Sequence, residues 1–278
     1  MIQIASMVGA PDLAQETLAI YSGDLELAFE KLAGLGYHGV ELMTRDPHRL
    51  DGKGIRRSLA NHNLKLVGLC TGHVYGEDGL GLVGLGEETG RRAMRRIQGF
   101  IEWAAEFGGQ GTLVNIGRSR GPGYPHDPGR TLAEMETAFR SLAEHAAPWG
   151  VKLVLEPINV LQAAYIHTAQ DGIAMVERVS HASFGLMLDT YHMNIEEESI
   201  YAGLRMAKPH LWFVHFADNN RHWPGSAHLD FEKVVAVLDE IHYRGFISLE
   251  ILPWPDADTA ARSAIDSLRR TIQAAQER

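Results

Sequence analysis

Four apolar runs in this chain end in side chains that can hold a metal ion or move a proton. They are Val151-Lys-Leu-Val-Leu-Glu156, Phe184-Gly-Leu-Met-Leu-Asp189, Leu211-Trp-Phe-Val-His215 and Phe246-Ile-Ser-Leu-Glu250. Runs without polar alternation suit strands covered on both faces, and such strands belong to parallel sheets wrapped by helices. An aspartate after one strand is most often a turn residue or a helix cap. Here the intervals between Glu156, Asp189, His215 and Glu250 each approach the ~30 residues of one strand-helix-strand unit, so the same position in the unit is chemically active four times over. Two glutamates, an aspartate and a histidine form an oxygen-rich donor set. It suits one divalent ion, Mn²⁺ first, with Co²⁺, Mg²⁺ or Zn²⁺ as alternatives.

The elements that must position these groups can be read from the N-terminus. Ile2 to Val8 is a first strand, and Asp24 to Leu35 a helix with Leu25, Ala28, Phe29 and Leu32 on one stripe. Val40-Glu-Leu-Met43 and Leu66 to Cys70 are strands two and three, separated by a helix around Gly54 to Asn61. A glycine-rich segment from Gly72 to Gly86 interrupts the beat; a loop of that length at a strand exit is more often functional than idle. Helices then follow over Glu87–Phe107, Asp127–Trp149, Thr168–Val179, Glu196–Ala207, Phe231–Tyr243 and Asp256–Gln276, with Gly111 to Ile116 as strand four. Eight strands alternating with eight helices predict a closed (β/α)8 TIM barrel over residues 1–278, a single domain. Its active site belongs at the carboxyl ends of the strands. An open doubly wound sheet is the alternative, but no Gly-x-Gly-x-x-Gly follows strand one. In the closed form, the ends of strands five to eight are neighbours on one rim.

Composition narrows the function. The 278 residues are 45% hydrophobic and 22% charged, with a net charge of −9, as in an ordinary globular protein and opposed to a nucleic-acid partner. The one cysteine, Cys70, excludes an intramolecular disulfide and suits a reducing, cytoplasmic location. No apolar run reaches the ~18 residues of a membrane span, and no signal-like segment opens the chain.

Around the same rim lie His192, Asp218, Asn219, Arg221 and His228, and Arg118 and Arg120 follow strand four. His192 and Arg221 stand out because each closely follows a presumptive ligand. Arg118 and Arg120 are expected either to pair with acidic groups such as Asp127, or to have one of them reach a phosphate or carboxylate at the far end of a substrate. Cys70 should pack as a small apolar residue at the end of strand three, within reach of a substrate.

Leu153-Val-Leu-Glu-Pro-Ile-Asn159, Leu186-Met-Leu-Asp-Thr-Tyr-His-Met-Asn-Ile-Glu-Glu197, His215 with Arg221-His-Trp-Pro-Gly225, and Ser248-Leu-Glu250 resemble the xylose-isomerase-like barrel superfamily of sugar isomerases and epimerases. The D-tagatose 3-epimerase branch is the nearest. The resemblance implies a metal held by Glu156, Asp189, His215 and Glu250, substrate oxygens bound by His192 and Arg221, and proton transfer by the two glutamates. It also implies a dimer or tetramer. The expected activity is epimerisation or isomerisation of a sugar or sugar phosphate through an enediolate. A dehydratase or lyase acting on a keto-inositol or keto-sugar is the alternative, since a leaving group on the next carbon would turn reprotonation into elimination. Two departures from the branch are Gln162, where an acidic residue usually contacts substrate, and Ala227 in place of a glycine. An abasic-site endonuclease would need further ligands where strands two and four exit through Leu42-Met43 and Asn115-Ile116, and a non-catalytic sugar-binding module would not need both glutamates.

Overall fold

In the computed structural model, which describes residues 2–14, 18–108 and 111–276, the predicted alternation closes on itself. The strands are β1 (Gln3–Gly9), β2 (Tyr21–Ser22), β3 (Gly39–Met43), β4 (Lys65–Cys70), β5 (Leu113–Ile116), β6 (Lys152–Leu155), β7 (Phe184–Asp189), β8 (Leu211–Phe216) and β9 (Phe246–Leu249). All pair in parallel in the order β2-β1-β3-β4-β5-β6-β7-β8-β9, and β1 also pairs with β9, so β1 and β3 to β9 form an eight-stranded barrel. The unforeseen β2 is a two-residue addition beside the end of β1, Val8 opposite Tyr21.

The helices are α1 (Leu25–Leu35), α2 (Gly52–Asn61), α3 (Gly72–Gly76), α4 (Glu87–Ala105), α5 (Pro128–Ala146), α6 (Ala169–Val179), α7 (Thr190–Glu196), α8 (Ile200–Ala207), α9 (Phe231–Glu240) and α10 (Ala257–Gln276). Short polar side chains start them: Asp24 on α1, Asp51 on α2, Asp127 with Pro128 on α5, and a reciprocal Thr168–Asp171 pair on α6. On α1, Ala28, Phe29 and Leu32 are buried as the apolar stripe requires. The helix expected over Glu196–Ala207 begins only at Ile200, as α8, and a short unforeseen helix, α7, precedes it. Asp189 caps α7 directly off the strand, and Ser199 restarts the chain as α8.

Inside the barrel, Ala5, Val67, Val154, Met187 and Phe213 form a closed apolar layer. Strand side chains alternate, so two residues further along β6, β7 and β8 the chain must point inward again. Those positions are Glu156, Asp189 and His215, and two residues beyond the buried Ser248 lies Glu250. The apolar layer is thus the floor on which the polar cluster stands. Among the described residues no helix is long and apolar enough to cross a membrane.

Candidate metal centre and active site

Glu156, Asp189, His215 and Glu250 are all buried, and one donor atom from each lies within 4.8 Å of the others. His215 Nδ1 sits 3.6 Å from both Glu156 Oε1 and Glu250 Oε2. Among the described residues, Glu156 Oε1 and His215 Nδ1 are buried without a hydrogen-bond partner. Orphaned buried polar atoms are costly, and two that face each other inside a ring of carboxylates fit a bound cation. The four side chains together could hold one divalent metal ion.

Other groups hold these four in place. His215 Nε2 meets Glu41 Oε2 at 2.7 Å, which orients the ring so that Nδ1 faces the cluster. Asn115 donates to Glu156 Oε2 at 3.2 Å. Asp189 both caps α7, accepting from the Tyr191 N–H, and takes the Arg221 guanidinium at 2.7 Å, so its capping role and its place in the cluster coexist. Arg221 also reaches Glu250 Oε2 at 2.9 Å and stacks 4.2 Å from the Tyr191 ring. Its backbone is left-handed, φ +60°, which is strained for a non-glycine residue. Asp218 holds the strained turn by accepting from the N–H groups of Asn219, Gly225, Ala227 and Leu229.

His192 is buried beside this group, its Nδ1 2.7 Å from the Asn159 amide nitrogen and its Nε2 3.4 Å from the Arg221 guanidinium. Burial keeps its pKa below the usual imidazole value, so the ring is neutral. Burial raises the carboxylate of Glu156, but the nearby His215 outweighs it and the net shift is downward. Glu250 behaves alike: burial raises it, and Arg221 and then His215 hold it below the usual range. Burial would lower His215, yet the charges of Glu41 and Glu250 raise it well above the ordinary imidazole value.

A cavity of about 280 Å³ runs from these groups to the surface, with Cys70, Arg118 and Gln162 among its lining residues. Cys70 does pack in an apolar cluster with Met7 and Met43, and burial pushes its thiol pKa up, so it lines the cavity as an inert group. A hollow of about 450 Å³ at the opposite end of the barrel, near Lys152, Trp212 and Tyr243, contains none of the strand-end acids.

Both expectations for Arg120 are corrected. It neither pairs with Asp127, which caps α5, nor points toward a ligand. It is fully buried and donates to the carbonyls of Gly117, Glu156, Tyr165 and Ile166. Burial pushes its guanidinium down to about 10. Arg120→Met, which strands these carbonyls, should cost on the order of 3 kcal/mol in a urea-unfolding measurement; unchanged stability would contradict the bracing role. Arg118, by contrast, is exposed on the cavity wall.

The sequence reading assigned no role to Glu41, Asn115 or Asn159. For Glu41 a signal existed: a lone carboxylate in a four-residue apolar strand must find a partner. Asn115 and Asn159 carried none, because their partners, Glu156 and His192, come from other elements of the fold.

An eight-stranded parallel barrel with an acid-imidazole cluster at its carboxyl rim is the architecture of a metal-dependent barrel enzyme. Residues 29–276 match the family described as xylose isomerase-like TIM barrel, and the chain belongs to it. It is similar to the L-ribulose 3-epimerase of Methylomonas sp. (strain DH-1), 26% identical over 90% of this chain and 94% of that protein. It also resembles the ketose 3-epimerase of Arthrobacter globiformis, 25% identical over 81% and 77% of the two chains. Among solved structures, an L-ribulose 3-epimerase superposes with a TM-score of 0.85, 21% identity, and coverage of 100% of this chain and 96% of that one.

Proposed function

We propose that this protein is a metal-dependent ketose 3-epimerase, acting as one catalytic unit over residues 1–278 in the cytoplasm, with Mn²⁺ as the metal. The observation that carries the reading is the buried pair Glu156 and Glu250, which approach His215 Nδ1 at the same 3.6 Å from the exits of two different strands. Relatives spanning most of the chain are named L-ribulose and ketose 3-epimerases, which favours the same reading.

The ion, held by Glu156, Asp189, His215 and Glu250, would polarise a ketose carbonyl and so acidify the neighbouring C–H. The protein side chains do the rest. His192 presents its imidazole, and Arg221 its guanidinium, to substrate oxygens. One glutamate accepts the C3 proton, and the other, ionised at rest, takes up a proton from solvent during the turnover and delivers it to the opposite face of the planar enediolate. The reverse reaction exchanges their roles. Between turnovers the pair exchanges its proton with solvent. Elimination by a dehydratase is less favoured, because the relatives that match over most of the chain carry epimerase names.

The direct test is incubation with D-fructose, D-tagatose and L-ribulose in D₂O with Mn²⁺, followed by NMR. Deuterium should enter C3 together with formation of the 3-epimer. Loss of water, or deuterium only at C1, would replace the epimerase with a dehydratase or an aldose-ketose isomerase.

A further inference from the structure

The catalytic cavity does not end at the sugar-sized space above the metal ligands. A second cavity of about 250 Å³ adjoins it, and Arg118 and Gln162 line both. Neither alone reaches the ~300 Å³ at which small-molecule sites begin, while the two together do. The second cavity is walled by Tyr75, Arg120, Pro122 and the segment from Val160 to Ala164, whose Val160 N–H donates to Glu196 outside the lining. Leu161 in that segment is 81% exposed.

Arg118 stands at the junction. Among the described residues no carboxylate lies within ion-pair distance of its guanidinium, which sits 5.8 Å from the Tyr75 ring. Its backbone is held firmly nonetheless. Leu82 and Val83 donate to the carbonyls of Ser119 and Arg120, and Gly123 donates back to Val83. The glycines of this contact are required by close approach: a Cβ on Gly84 would lie 2.2 Å from the Gly123 carbonyl oxygen, and one on Gly121, itself at φ +84°, 2.3 Å from that of Val83. The glycine-rich segment after β4 and the buried Arg120 therefore brace the turn that carries Arg118 from two sides.

The charges along the two cavities are differently matched. At the buried end Glu156, Asp189 and Glu250 are met by Arg221 and by the ion they would hold, whereas the exposed end offers Arg118, which has no counterion among the described residues, and the neutral Gln162. An anionic group finds its unmatched partner in the second, which would bind a substrate one way round. Arginine's planar fork matches phosphate and carboxylate alike. We propose that the substrate is a ketose with an anionic substituent at the end remote from the reacting carbon, and that Arg118 binds this substituent where the two cavities meet. The proposal rests on the epimerase reading for the sugar end and adds the substrate class.

The test compares D-fructose, D-fructose 6-phosphate and D-fructuronate on Mn²⁺-loaded wild type, Arg118→Ala and Arg118→Lys. Binding is measured by calorimetry and 3-epimer formation by NMR. At least one anion should bind wild type about tenfold or more tightly than D-fructose. Arg118→Ala should remove most of that preference and Arg118→Lys keep part of it. A preference for the phosphate over the uronate assigns a sugar phosphate, and the reverse a sugar acid. Equal binding of all three sugars, or a preference that Arg118→Ala leaves intact, overturns the subsite. Binding that follows the expected pattern without epimer formation from any sugar would leave the subsite standing and sink the epimerase reading.

Discussion

Glu156→Gln and Glu250→Gln are each expected to lower kcat by ~10²-fold or more, because each removes a proton-transfer group along with a charge in the donor set. A large loss alone could come from failed metal binding, so the informative measurement pairs turnover with metal content. Both variants retain three of the four donors. At saturating Mn²⁺ they should carry metal and still turn over poorly. The two variants should also differ in isotope exchange. With one base intact, each should still wash the C3 proton of one epimer into solvent faster than it forms the other. A glutamine variant that epimerised at the wild-type rate would remove the two-base mechanism, and one inactive only for want of metal would reduce that glutamate to a ligand.

Removal of the metal should abolish turnover, with Mn²⁺ or Co²⁺ restoring it at one ion per chain by elemental analysis. The geometry also predicts how binding depends on pH. The charges of Glu41 and Glu250 hold the pKa of His215 well above the usual imidazole value, so the metal-free ring carries a proton on both nitrogens at neutral pH. A metal ion at Nδ1 must displace one of them. Affinity should therefore rise with pH up to that raised pKa, and uptake in weak buffer at neutral pH should release about one proton per chain. Glu41→Gln keeps the shape but loses the charge behind Nε2, and should weaken metal binding by ~10- to 100-fold. Full activity in metal-free protein would eliminate the central assignment; wild-type metal affinity in Glu41→Gln would leave Glu41 a packing residue.

The catalytic rim could be read so directly because strand geometry is local. A strand buried on both faces has to be apolar along its length, so a polar residue at its exit is conspicuous, and repetition once per strand-helix unit makes four such exits equivalent. Helix starts were legible for the same reason: Asp24, Asp127 and Thr168 satisfy N–H groups only two or three residues away. The short helix α7 was missed because Asp189 serves two purposes. Its cap on Tyr191 N begins a helix directly off the strand, ahead of the helix expected from Glu196.

What the amino-acid order determined by itself was the alternation of strands and helices, their closure into eight units, and the chemical identity of the donor set. All of these depend on contacts within one unit or on the period of the repeat. What only the tertiary structure decided was which groups support that set and which arginine is exposed. Glu41 and His215 stand 174 residues apart and meet because β3 and β8 face each other across a closed barrel. Arg118 and Arg120 are two residues apart, yet one is exposed at the junction of two cavities and the other is consumed by backbone carbonyls from segments up to 46 residues away. The difference arises from which side of a tight turn faces the packed interior, and that depends on the surrounding loops.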